Sequence, residues 1–392
     1  MKQLTTPKTR HQPDPRRRAL LQHGALSAAG LALGAGSVQA QGSKSASAGR
    51  PITLAQIADM SAAQIDVSKD FLVGARAAWA DINAKGGLRG QPVQHLVLEA
   101  DGSRASLERA VDSLRATPQC VLAFGTVGHL AAAQSAELLH SALPDLAHVA
   151  PWLQTTDNNV APTSFPIFAG RREQIQHALK SLTNMGIAQV GVVFASAAER
   201  TASLPGLERM GQSLGLQLVL LPQQTDLQRQ GSSLDARSPR VLLFIGGTPE
   251  LMALAQGIGK QAQQRYIVAL ADVNVQTLQQ SGLSRHAAVI ATQVVPLVNA
   301  QAPMVRLYRD TMARLYDEPP SPQSLAGFVA ARYTFEVLRQ IDGPIHRASA
   351  LAALQQRKAL DLGGFQVSAG AQQRSGTYVT QSMLASDGRF IG

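Results

Sequence analysis

The chain has 392 residues, 45% of them apolar and 4% aromatic, with a single cysteine and a formal charge of +10. That length supports two packed domains rather than one, and one cysteine excludes an intrachain disulfide framework. Much of the charge is local. Residues 1–40 hold six Lys/Arg and one Asp, so a chain starting at Gln41 carries 30 basic and 25 acidic residues, or +5. Those basic residues are scattered and no aromatics interleave with them, which argues against a nucleic-acid-binding stripe.

Arg16-Arg17-Arg18 leads into an Ala/Gly-rich run from Ala19 to Ala40 that contains Gln22, His23 and Ser27. The run is too weakly apolar to span a membrane, which takes about 20 strongly apolar residues. A basic start, a mild apolar run and the small-residue end Val38-Gln39-Ala40 form an export signal, with cleavage expected after Ala40. Arg17-Arg18-Ala19-Leu20-Leu21-Gln22 resembles a twin-arginine signal, with Leu20 where Phe is common; a general secretory signal is the alternative. No Cys follows, which argues against a lipid anchor at that point. We therefore expect a protein of the periplasm whose mature chain begins with a polar linker over 41–50.

From Pro51 onward, short apolar runs alternate with helical patterns. ITLAQIAD (52–59) predicts a strand. Val67, Phe71, Ala75, Ala78 and Ile82 share one helix face, which stops at Gly86-Gly87. PVQHLVLEA predicts a second strand, and Leu107, Ala110, Val111 and Leu114 a second helix. CVLAFG predicts a third strand that buries Cys120 as a small apolar side chain. A helix is expected from Thr126 to His140, then a strand at LAHVA (146–150). The pattern restarts with a helix through Ile175, Ala178, Leu179 and Leu182, ending near Gly186. Strands follow at AQVGVVFA, LQLVLL, RVLLFIGG, YIVALA and AAVIATQ. Helices are marked by Leu207, Met210 and Leu214, and by Leu251, Leu254, Ala255 and Ile258. Two longer helices are expected at about 302–316 and 322–341, and a small hairpin region after Gly363.

Repeated strand–helix–strand units with near-continuous apolar strands predict parallel sheets covered on both faces, in two α/β lobes that separate near 165–170. Ligands of such sheets sit at strand carboxyl ends, near topological switch points. No G-x-S-x-G elbow, P-loop or G-x-G-x-x-G after a strand is present. His95, His129, His140 and His148 are not at metal spacing with a carboxylate partner. We expect neither catalysis nor a cofactor or metal.

DINAKGGLRGQPVQHLVLEADGSRASLERAVDSL (81–114) resembles the type I periplasmic binding proteins, in the branched-chain amino-acid (Leu/Ile/Val) branch that serves ABC importers. ADMSAAQIDVSKDFLVGARAAW is similar to that family's opening strand, ligand loop and first helix. FPIFAGRREQ is similar to its crossing segment, and LDLGGFQVSAGAQQRSGTYVTQSMLASDGRFIG to its closing hairpin region. The likeness spans 51–392. It implies two doubly wound parallel-sheet lobes joined by a hinge of three crossovers, near 168–170, 296–300 and 358–364. The lobes would be 51–168 with 300–358, and 169–299 with 359–392. It implies a monomer that captures a small amino-acid-like or other polar organic solute between its lobes and delivers it to an ABC permease in the inner membrane; a ligand-sensing module acting on a membrane receptor or regulator is the alternative.

The resemblance also places candidate ligand residues. The family's carboxylate-binding loop falls on Gly125, Thr126 and Val127, before Gly128, where a helix start offers N–H groups and positive dipole; Thr126 alternatively caps that helix. Ala150 and Trp152 end the fourth strand. Small and hydroxyl residues are common there, so Trp152 departs from the pattern and either stacks on a ligand or packs against its lobe. Ser61 aligns with a family Ser beside the ligand, but the aromatic usual a few positions later is replaced by Ile65 and Asp66. Ser196 stands where the second lobe usually carries an aromatic lid. Asp272 falls where an acid faces the ligand ammonium, or else caps a helix. Arg171 and Arg172 meet an anionic ligand or make a hinge salt bridge. The scaffold fits better than the amino-acid contacts, which leaves a small acid, amide or aromatic compound open as solute.

Overall fold

The computed structural model describes residues 50–152, 161–282, 287–368, 378–385, 387 and 389–391. The export signal expected over 1–40 and the linker to residue 49 lie outside the described residues.

Strand β1 (Ile52–Asp59), with the expected bounds, is buried at every position, as a parallel strand between two helix layers must be. It pairs in parallel with β2 (Val93–Ala100) and β3 (Cys120–Phe124). β4 (Ala147–Val149) and β5 (Ser164–Phe165) complete a parallel sheet of order β2-β1-β3-β4-β5. Helix α1 (Ile65–Ala84) follows β1, α2 (Arg104–Arg115) follows β2 and α3 (His129–Ala142) follows β3. α3 starts three residues later than the sequence pattern suggests. Gly125 and Gly128, at φ 64° and 87°, hold the chain left-handed just ahead of it.

The second sheet is built from β6 (Gln189–Phe194), β7 (Gln217–Leu220), β8 (Val241–Ile245), β9 (Tyr266–Ala269) and β10 (Ala288–Gln293). Its helices are α4 (Arg171–Asn184), α5 (Ala197–Ser213), α6 (Leu227–Ser232), α7 (Thr248–Ile258) and α8 (Val275–Gln280). Three helices come next, α9 (Pro303–Leu315), α10 (Pro322–Arg339) and α11 (Arg347–Gln355), then a two-stranded hairpin of β11 (Leu360–Asp361) and β12 (Gln366–Val367). β13 (Thr380–Leu384) and β14 (Phe390–Ile391) return to the second sheet, antiparallel, giving the order β14-β13-β10-β9-β8-β6-β7. Along β8, Leu242 and Phe244 pack on one helix layer, while Val241, Leu243 and Ile245 pack on the other. That alternation buries a strand on both faces.

α1 and α10 cross closely because each presents a glycine at the contact. A Cβ on Gly74 would lie 1.7 Å from the Ser324 carbonyl oxygen, and one on Gly327 would lie 1.9 Å from that of Phe71. The crossing carries Phe71, Tyr308 and Phe328 into the largest buried cluster, and it aims the first turn of α1 at the second sheet. Gly74→Val is therefore expected to lose about 2 kcal/mol or more by forcing the helices apart. Urea unfolding checks this, and an unchanged midpoint would contradict the packing.

Candidate functional site: the cleft between two switch points

β1 lies between β2 and β3, so the loops after β1 and β3 leave the sheet toward opposite faces. The same reversal occurs between β6 and β8. These are the two topological switch points, where open α/β sheets hold ligands.

At the first switch point, the Asp59 carboxylate accepts from the Ser61 N–H at 2.9 Å, and the Ser61 carbonyl accepts from Gln64 and Ile65 to start α1. Ser61 is half-buried, beside Gly102. Gly125 is needed as glycine: its φ is 64°, and a Cβ would come within 2.7 Å of the Phe71 ring. Its carbonyl accepts from Gln56 Nε2 at 3.2 Å, and Gln56 Oε1 lies 3.0 Å from His95 Nε2. Val127 is fully buried.

Thr126 is fully buried, with Oγ1 2.9 Å from His148 Nε2. Burial pushes the His148 pKa down to about 4, so the ring is neutral at neutral pH. The cap position of α3 belongs to Gly128, so the Thr126 hydroxyl is spent on His148 rather than on the helix. Ala150 sits at φ 51°, a left-handed conformation that costs a non-glycine residue about 1–2 kcal/mol. It is held there by a 2.9 Å bond from its N–H to the Phe165 carbonyl. The Trp152 N–H donates to the Thr126 carbonyl at 2.7 Å. Its ring is 1% exposed, between Phe71 at 5.9 Å and Phe168 at 5.0 Å, and borders a small void shared with Ala271, Val273 and Gln293 of the second half. The structure thus brings Gly125, Thr126, Val127, Ala150 and Trp152 into one cluster, with Ser61 one loop away.

On the second sheet, Ser196 is exposed and caps α5, accepting from the Glu199 N–H at 3.2 Å. Asp272 is 1% exposed. Arg171, also buried, donates to both the Asp272 and Glu199 carboxylates. Burial alone would lower the guanidinium pKa, but the two carboxylates raise it above its ordinary value. Of the two sequence alternatives for Arg171, the structure contains the salt bridge; Arg172 is exposed and outside it. Asp272 does not cap α8. Asn274 does, accepting from the Gln276 and Thr277 N–H groups at 3.0 and 3.2 Å. Gln174, one turn along α4 from Arg171, accepts from the Ala271 N–H at 2.8 Å and from Thr292 Oγ1 at 2.9 Å.

The two switch points meet. The Ala63 carbonyl oxygen, in the loop after β1, lies so close over Gly247 that a Cβ there would be 2.8 Å from it. Behind it, Asp66 and Asp70 on the first turns of α1 face the starts of α7 and α8. Asp70 Oδ2 accepts from Asn274 Nδ2 at 3.0 Å. Burial pushes both carboxyls up. The Thr248 and Thr277 hydroxyls partly offset this at Asp66, as do Ser321 and Asn274 at Asp70. A carboxyl whose pKa is raised in the folded chain binds a proton more readily there than when unfolded, so these two favour the folded state as pH falls into the raised range and lose that contribution as pH rises through it. Gln323 Nε2 adds bonds of 3.2 and 3.1 Å to the Ala271 and Val273 carbonyls. Gly247, Asp70, Asn274 and Gln323 carry this seam, yet no sequence motif points to them. The Gly-Gly pair closing the predicted 240–247 strand was the available signal.

Two α/β halves built on mostly parallel sheets thus meet at their switch points. Residues 51–385 match the family model described as periplasmic binding protein, and the chain belongs to that family. No curated protein sequence matches it. Among solved structures it is similar in fold to a substrate-binding periplasmic protein from Ralstonia solanacearum, with 20% identity and a TM-score of 0.76 over 87% of this chain and 99% of that one. A leucine-binding protein from Thermotoga maritima MSB8 superposes with 15% identity and a TM-score of 0.70, over 87% of this chain and 97% of that one. A fatty acid ABC transporter substrate-binding protein from Thermomonospora curvata does so with 14% identity and a TM-score of 0.73, over 87% and 91%.

Gly247 is in an extended conformation that any residue can adopt, so its smallness serves the close contacts with the Ala63 carbonyl and the Glu250 carboxylate. Gly247→Val is expected to hold the halves apart while leaving each folded. Small-angle X-ray scattering should then give a larger radius of gyration with an unchanged melting temperature. An unchanged radius would contradict the seam.

Proposed function

We propose that this is an exported solute-binding protein of an ABC importer. It captures a small polar organic solute between its halves and presents it to a permease in the inner membrane. The observation that carries this reading is the meeting of the two switch points at Ala63 and Gly247 in a member of the periplasmic binding protein family. Such capture needs a cleft, a few oriented polar groups and exclusion of water; no bond is made or broken.

The cleft chemistry narrows the solute. The 125–128 loop at the start of α3 suits a carboxylate or a similar acceptor. A carboxylate is also what leucine and a fatty acid, the ligands named for two relatives in fold, have in common. Asp272, the acid expected to face a ligand ammonium, is already bonded to Arg171. An α-ammonium would have to compete with a guanidinium held by two carboxylates. This supports a small organic acid or an uncharged amide or aromatic compound over an α-amino acid.

Mass spectrometry of protein purified from a periplasmic extract tests both parts. The intact mass is expected to start at Gln41, and denaturation is expected to release a small acid, amide or aromatic compound. The same compound at a hundredfold excess over its Kd should stabilise the fold by about 2.7 kcal/mol, read as a rise in Tm. Leucine, isoleucine or valine as the released and stabilising solute would overturn the solute class. A cytoplasmic full-length chain would overturn the importer role.

A further inference from the structure

A pocket of about 310 Å³ lies on the first half, between the end of α10, α11 and β11. The loops after β1, β3 and β8 take no part in its lining, so it is separate from the cleft. Val337, Leu354 and Leu360 give it apolar walls. Gln340 and Gln356, the C-terminal caps of α10 and α11, stand at its rim with Asp342 and Lys358, and all four are exposed. Among the described residues, Asp342 and Lys358 form an ion pair neither with each other nor with another side chain.

Tyr333 of α10 reaches this pocket from the core. It is 1% exposed and lines the pocket. Its hydroxyl has no hydrogen-bond partner among the described residues, and burial with nothing to offset it pushes the pKa up to about 12. The hydroxyl therefore keeps its proton at neutral pH. It is not sealed off, in contrast to the unmatched indole N–H groups of Trp79 and Trp152. The little surface that Tyr333 retains thus includes its hydroxyl, and the pocket is where that surface lies. In the same core cluster the Tyr308 hydroxyl is matched: it accepts from the Ser321 N–H at 3.0 Å and bonds to Ser324 Oγ. The Tyr333 hydroxyl makes no bond that holds the fold. Left unmatched it is a standing penalty, which a ligand reaching into the pocket would relieve.

We propose that this pocket is a second binding site, for a small uncharged molecule rich in hydroxyl groups, about the size of a monosaccharide. The lining carries one carboxylate and one ammonium beside the phenol and two carboxamides, so it has no net charge. An ion of either sign would meet a like charge at the rim, and the negative ends of two helix dipoles disfavour an anion further. A hydroxyl both donates and accepts, so one kind of group can answer the carboxylate, the ammonium, the carboxamides and the phenol alike. The apolar walls suit the C–H faces of a sugar ring, whose burial adds a non-directional gain. The volume is at the low end of the range for small-molecule sites.

Calorimetric titration of the mature protein with D-glucose, D-galactose and myo-inositol tests the proposal, with crystals soaked in the same compounds. Glycine betaine, a zwitterion without a hydroxyl, is the comparison. At least one of the three is expected to bind saturably, one per chain, with density against Tyr333 Oη. Tyr333→Phe should weaken it about tenfold, the loss of one hydrogen bond, and should not lower Tm, because no bond within the protein is lost. Ala353→Trp, on the half-buried wall, should fill the pocket and abolish binding. A Tyr333→Phe protein of lower Tm would show that the hydroxyl serves the fold, which overturns the site. So would saturable binding by none of the three, or binding that Ala353→Trp leaves unchanged. Glycine betaine bound there more tightly than all three overturns the ligand class. None of these outcomes bears on the solute cleft, whose loops do not line the pocket.

Discussion

A guanidinium removed from water must be matched by opposite charge, or the burial costs several kcal/mol. In this protein Arg171 is matched twice, by Asp272 and Glu199, and much of the cleft follows from that. Arg171 is the first residue of α4, immediately after the chain leaves the first sheet. Its partners come from the loop after β9 and from the first turn of α5. One charged cluster thus joins the crossing segment, the α5 end and the β9 loop. Gln174 repeats the connection with neutral bonds to Ala271 and Thr292. The wall presented by the second half is consequently set before any solute arrives, with its buried acid already engaged.

The first half is organised differently. Its wall is held by a relay of neutral groups: His95 to Gln56 to Gly125, and His148 to Thr126. Burial keeps both imidazoles uncharged at neutral pH, with pKa values pushed down to about 4. The loop after β3 is therefore shaped by uncharged hydrogen bonds, while the buried Asp59 carboxylate, bonded to the Ser61 N–H, lies beside Gly128 at the start of α3. Close approach depends on small residues both within the first half and between the halves. Gly74 and Gly327 let α1 lie against α10 inside the first half, and Gly247 lets the loop after β1 lie against the loop after β8.

The scaffold was legible because burial has a period. β1 has the bounds its apolar run suggests, and the helix face through Val67, Phe71, Ala75, Ala78 and Ile82 is the face that α1 buries, as the all-round burial of Val67, Phe71, Ala75 and Ala78 shows. The motif at 81–114 led to the family that the chain belongs to. The site was less legible, because its pairings are remote in sequence. Arg171 and Asp272 are 101 residues apart, Asp70 and Asn274 are 204 apart, and no periodicity relates them. Trp152 read equally well as a ligand platform or as packing until Phe71 and Phe168 were placed around it. Thr126 looked like a helix cap because two glycines conceal where α3 begins. The short helices α6, α8 and α11 lack enough turns to show a face.

The central claim is that the halves close on a dissolved molecule, and the distance between them measures it most directly. Cysteines placed at Ala62 and Ser196, both exposed, can carry a fluorescent pair, since the native Cys120 is fully buried. Adding the solute released from the purified protein is predicted to raise energy transfer saturably, at one solute per chain. Transfer that stays constant while that solute binds would contradict the account.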